Sequence, residues 1–113
     1  MNEIDLSNFE TEMNRGFQQI LVLAILETRL YGYLMVKHLE SAGYPVEENT
    51  LYPLLRRLEK NGLVKSEWEL APDRPKKFYL ITERGKIVRE KLLGIWADQN
   101  KALKAVLKGI VHV

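Results

Sequence analysis

Arg56, Arg57 and Lys60 lie on a segment in which Leu51, Leu54, Leu55 and Leu58 recur at helical spacing. The leucines form one apolar stripe and leave the cations off it, toward solvent or a polyanion. A second basic set, Arg74, Lys76 and Lys77, accompanies the turn chemistry of Ala71-Pro72-Asp73-Arg74-Pro75. Guanidinium and ammonium groups displayed in this way neutralise phosphates; they do not make or break bonds. The chain holds no cysteine, which removes disulfides, thiolate metal sites and cysteine nucleophiles together. His38 and His112 are isolated, with no carboxylate or histidine cluster at ligand spacing, so neither a metal nor a cofactor is expected. No nucleophile–base pair or phosphate loop is present either, which makes an enzyme the weakest reading and leaves no catalytic residue to name.

The charge distribution agrees with a polyanion partner. The net charge is only +2, but residues 1–13 carry −4 and residues 14–48 carry −1, against +3 for 49–77 and +4 for 78–113. Positive charge is thus concentrated from the basic helix onward. At 113 residues the chain is one domain, with a core of ordinary size and little room for an enzyme cleft. No apolar run approaches the roughly 18 residues of a membrane span, so no membrane partner is expected. The N-terminal stretch Met1 to Met13 is acidic where a signal peptide would be basic, which suggests a cytoplasmic protein.

Several elements must position the two basic sets. A first helix is predicted from between Ser7 and Met13 to about Glu27, with Phe17, Ile20, Leu21, Ala24 and Ile25 as its core face. Thr28 to Gly32 reads as a turn. A second helix follows over about 32–42, with Leu34 or Met35, Val36 and Leu39 inward, ended by Gly43 and Tyr44-Pro45. The basic helix spans about 49–61, capped by Asn49 or Thr50, with Pro53 in its first turn and Asn61-Gly62 as its left-handed stop. Val64, Ser66, Trp68 and Leu70 then alternate with Lys65, Glu67 and Glu69, the period of a half-buried strand. A returning strand over 76–81 closes a hairpin, with Arg74, Lys76 and Lys77 at or near its tip. Thr82 caps a long last helix that is too apolar for one-sided burial. Its far half needs a partner, and a second copy of the chain in a two-fold dimer is the economical one. The dimer surface expected is Phe9, Met13, Phe17, Leu92, Trp96, Leu103, Val106, Leu107 and Ile110.

Ordered short motifs run through most of the chain. They are Tyr31-Gly32-Tyr33, Leu51-Tyr52-Pro53-Leu54-Leu55, Arg57-Leu58-Glu59-Lys60, Gly62-Leu63-Val64, Trp68, the run Arg74 to Tyr79, and Leu80 to Gly85. In this order they resemble the PadR family of transcriptional regulators over about residues 15–90. The single C-terminal helix is similar to that of the short, multidrug-responsive subfamily. Asp73-Arg74-Pro75 stands where the family carries a glycine-bearing wing turn, and Phe78 stands where tyrosine is commoner.

The resemblance implies a mainly α fold: a winged helix-turn-helix of three helices and a two-stranded β-wing, followed by a long C-terminal dimerisation helix. Residues 1–81 would be the DNA-binding head, with 1–15 also in the dimer interface, and 82–113 the dimerisation helix. In such folds the third helix enters the major groove and the wing follows the backbone or an adjacent minor groove. The DNA contacts implied are Asn49, Thr50, Tyr52, Arg56 and Arg57 on the third helix, Tyr33 and Lys37 on the second, and Arg74, Lys76 and Lys77 on the wing. Being successive on a helix, Arg56 and Arg57 diverge; one is expected on phosphate and the other on Glu59, Glu69 or solvent. Tyr52 is alternatively a partly buried packing residue. Trp96 resembles a stacking residue that, paired across the two-fold axis, sandwiches planar aromatic ligands. Met13, Gly16, Gln19, Ile20, Asp98 and Asn100 would line that pore. Alternatively Trp96 is a buried interface residue with no ligand. The function implied is a dimeric repressor that binds a double-stranded operator and is released by a small planar aromatic molecule. The alternative is a winged-helix protein-interaction module with neither operator nor ligand.

Overall fold

A computed structural model describes residues 3–109. Helix α1 (Ser7–Ile25) leads through a two-residue strand β1 (Leu30–Tyr31) into α2 (Gly32–Ser41) and α3 (Glu48–Lys60). Strands β2 (Val64–Glu69) and β3 (Lys76–Ile81) form a hairpin, and α4 (Glu83–Leu107) follows. The core gathers the α3 leucine stripe with Val22 and Leu23 of α1, Leu26 at its C-cap, Met35 of α2, and Val64, Tyr79 and Ile81 of the hairpin. Leu51, Leu54, Leu55 and Leu58 are all buried, as their spacing requires.

The fold departs from expectation at several points. The sheet has three antiparallel strands in the order β1-β3-β2 rather than two. Leu30 and Tyr31, read as turn, pair with Tyr79 and Phe78, because the outer edge of β3 is otherwise an open row of backbone groups. The core face of α1 is Val22 and Leu23, with Leu26 at its C-cap, whereas Ala24 is exposed and Phe17, Ile20, Leu21 and Ile25 are only half-buried. Residues 20–26 are apolar all round, so periodicity alone does not choose the face. At α3 neither Asn49 nor Thr50 is the cap. Glu47 holds that position without a side-chain bond, and the helix starts early enough to place Pro53 in its interior. A proline there donates no N–H to the carbonyl four residues before, that of Asn49. On β2 burial fades outward: Val64 is enclosed, while Trp68 and Leu70 are exposed.

Three junctions hold the head together. Gly62, at φ +77°, ends α3 in the left-handed conformation that side chains resist. The Thr82 hydroxyl accepts the Gly85 N–H at 3.0 Å, capping α4, and donates to the Gly62 carbonyl at 2.7 Å. The end of α3, the hairpin and the start of α4 therefore meet at one residue. On the other side, Arg89 of α4 pairs with Glu27 just beyond α1 and with Glu90. Among the described residues no helix is long and apolar enough to cross a membrane.

A candidate nucleic-acid interface and an apolar groove

The leucine stripe turns the opposite side of α3 outward. Arg56, Arg57 and Lys60 are exposed there, and none has a carboxylate within ion-pairing distance among the described residues. The carboxylates expected to hold one arginine are engaged elsewhere. Glu59 accepts the Ser66 hydroxyl at 2.6 Å, and Glu69 accepts Arg29 at 3.3 Å. Both guanidiniums are thus uncompensated, the arrangement a phosphate-binding helix needs. Asn49 and Thr50 are exposed on the first turn of α3, beside Glu48. Tyr33 is exposed on α2, with the Lys37 ammonium 5.5 Å from its ring centre.

Tyr52 is placed differently. It is half-buried and packs over Gly32: a Cβ on Gly32 would collide with the hydroxyl and ring of Tyr52. Burial, and then the nearby Glu48 carboxylate, push its hydroxyl above the usual phenol range. It acts first as the spacer between α2 and α3.

The hairpin sorts its cations by face. Lys77 pairs with Trp68 across the strands and lies 5.9 Å from that ring and 5.6 Å from Tyr79. Lys76 faces the other way, 4.8 Å from the Tyr31 ring, and Arg74 is exposed in the turn. The sequence treated Lys76 and Lys77 as one set; strand alternation separates them. Arg29 binds Glu67 at 2.7 Å and Glu69, and lies 3.8 Å over the Phe78 ring. That clamp fixes the Lys76 face. Arg29 stands in what reads as a turn, so only its tertiary partners reveal it.

Between α1 and α4 lies an open groove of about 690 Å³. Met13, Gly16, Gln19 and Ile20 line it, with Phe17, Leu92 and Trp96. A Cβ on Gly16 would meet nothing within 4 Å, so that glycine leaves space. Asp98 and Asn100 do not line it; the Asn100 amide donates to the Trp96 carbonyl of its own helix at 3.1 Å. Asn14, Tyr44, Ile95 and Gln99 take part instead. Gln99 was legible, since it follows Trp96 by three residues and Asp98 by spacing turns aside. Tyr44 packs edge-on against Phe17 at 5.6 Å, and its buried hydroxyl has no hydrogen-bond partner.

The apolar face beside the groove is uncovered. Phe9, Met13, Leu103 and Leu107 are each more than half exposed, with Val106 at 44% and Trp96 at 46%. Ile110 lies outside the described residues. A second, polar groove of about 400 Å³ joins α1 to α3, lined by Thr11, Asn14, Arg15, Gln18, Thr50 and Arg57, among others. Asn14 lines both grooves.

Comparison with known proteins places this geometry. A profile of the transcriptional regulator PadR-like family matches residues 21–91. A crystal structure of a PadR family transcriptional regulator from Eggerthella lenta is 39% identical, with a TM-score of 0.84 over 90% of this chain and 91% of that one. A PadR-like regulator from Bacillus cereus is 29% identical, with a TM-score of 0.76 over 87% and 98% of the two chains. A transcriptional regulator of Mycobacterium tuberculosis is 36% identical over 77 residues, 64% of this chain and 72% of its own.

Proposed function

The chain belongs to the PadR-like family of transcriptional regulators, and from that premise we propose a dimeric repressor released by a planar aromatic ligand. The family's members and structural neighbours are DNA-binding regulators rather than enzymes. Residues 3–81 act as the reading head and α4, Glu83–Leu107, as the dimerisation helix of the short, multidrug-responsive subfamily. Asn49, Thr50, Arg56 and Arg57 meet the operator, helped by Tyr33 and Lys37 from α2 and by Arg74 and Lys77 from the wing. Tyr52 holds α3 at the angle this requires, and Lys76 contributes charge from the outer wing face.

One observation carries the ligand half of the proposal. Trp96 stands half-exposed on the wall of an apolar groove that a single chain leaves open. A second copy, laid against the uncovered α1–α4 face, closes that groove and sets two tryptophans on either side of a flat molecule. Asn14, Gln19 and Gln99 supply a few polar anchors in an apolar slot, the usual composition of a small-molecule site. Because α1 walls both the ligand groove and the polar groove at Thr50 and Arg57, displacement of α1 by a ligand reaches the recognition helix directly. DNA half-sites tolerate only a fixed spacing, so a small shift between the two α3 helices lowers operator affinity.

The test is intrinsic fluorescence titrated with a flat aromatic cation, ethidium. Emission is quenched saturably in the wild type and in Trp68→Ala, and Trp96→Ala abolishes the response. Equal quenching in wild type and Trp96→Ala removes the ligand site from this groove.

A further inference from the structure

Trp68 is 64% exposed and Leu70 86% exposed on the outer half of the hairpin. The register places them with care. Val64 pairs with Ile81, Ser66 with Tyr79 and Trp68 with Lys77, so these side chains share one face of the sheet. Its inner part packs against the back half of α3: the Ser66 hydroxyl donates to Glu59, and Tyr79 is buried. Trp68 lies two residues further out on the same face, about 7 Å beyond Ser66 at the usual strand rise. Leu70 continues the alternation one step past the end of β2. The opposite face carries Glu67 and Glu69, both paired with Arg29. Trp68 therefore emerges on the face that carries Lys77 and packs against α3, opposite to Glu67 and Glu69, with exposed Leu70 next to the strand end.

We propose that Trp68 and Leu70 form an apolar wedge that enters the minor groove beside the site read by α3, with Lys77 and Arg74 on the flanking phosphates. This rests on α3 being the recognition helix. The chemistry of the patch selects the occupant. Two apolar side chains are too little surface for a stable protein interface, and an ammonium beside the tryptophan ring suits a polyanion with apolar faces between its charges. A minor groove presents deoxyribose and base edges between two phosphate rows. Apolar side chains inserted there partly unstack a base step and favour deformable sequences. The wing then reads the flank of each half-site by its flexibility, which the charges on α3 do not do.

The test uses a duplex enriched by the full-length wild-type protein from a random-sequence pool, with affinities measured across a salt series. Trp68→Ala weakens binding about tenfold or more, the scale of a lost aromatic–base contact, with an unchanged salt slope because no charge is removed. Lys77→Ala weakens binding and lowers the slope by about one. Trp68→Phe, which keeps an apolar ring, recovers most of the loss. A Trp68→Ala affinity within twofold of wild type overturns the wedge and leaves the patch to a protein partner. Trp68→Phe as weak as Trp68→Ala also contradicts it. If the wild type enriches no duplex, the recognition-helix reading falls first and takes the wedge with it.

Discussion

A methyl group at position 32 would strike the hydroxyl and ring of Tyr52, so the approach of α2 to α3 depends on one glycine. Gly32→Ala is expected to destabilise the fold by about 1–3 kcal/mol, the range for overpacking, despite the better helix propensity of alanine. Chemical denaturation measures this, and adding Tyr52→Leu recovers part of the loss. A Gly32→Ala variant as stable as the wild type would show that the phenol swings aside freely. Arg57 has the opposite character: it is exposed, unpaired and outside the core. Arg57→Ala leaves the denaturation midpoint unchanged but reduces the salt slope of operator binding by about one. An unchanged slope would mean that Arg57 touches no phosphate.

At the scale of elements, α1 is tied to α4 by Arg89, whose side chain is only 16% exposed, through Glu27. The Arg89 hydrogen bond and charge hold the Glu27 carboxyl below its ordinary 4.5. Its folded-state pKa is lower than its unfolded one, so the pair's contribution is complete above 4.5 and disappears as pH falls through the folded value. Urea unfolding should separate wild type from Glu27→Gln at pH 7, and the gap should close as pH falls from 4.5 through the lowered folded value. A gap that persists in acid would contradict this link. The elements differ in how plainly the sequence announces them. The α3 stripe, the Gly62 stop, the Thr82 cap and the hairpin strands are legible because each rests on local spacing or a single cap residue. The face of α1 is not, since Ile20 to Leu26 offers apolar residues in every direction. Strand β1 is two residues long and exists only through its pairing with Tyr79 and Phe78. In the candidate site, Arg56 and Arg57 were legible as cations, but their lack of partners follows from where Glu59 and Glu69 go. The groove residues Met13, Gly16, Gln19, Ile20 and Trp96 came from resemblance to a known family and lie together; Tyr44, arriving from the loop after α2, had no local signal.

At the scale of the whole molecule, one end is a charged head and the other an uncovered apolar face. Phe9, Met13, Leu103 and Leu107 are exposed on a single chain, and in the proposed dimer a two-fold partner covers the same patch on both copies. Two heads on one dimer impose a fixed distance between their recognition helices, about one helical turn of DNA or a multiple of it. The most direct measurement is the affinity of the wild-type protein for its enriched duplex and for the same duplex with about half a helical turn inserted between the half-sites. The paired-head account predicts an inverted repeat in the enriched sequence and a loss of at least a hundredfold on insertion. Equal affinity for the two duplexes would contradict it.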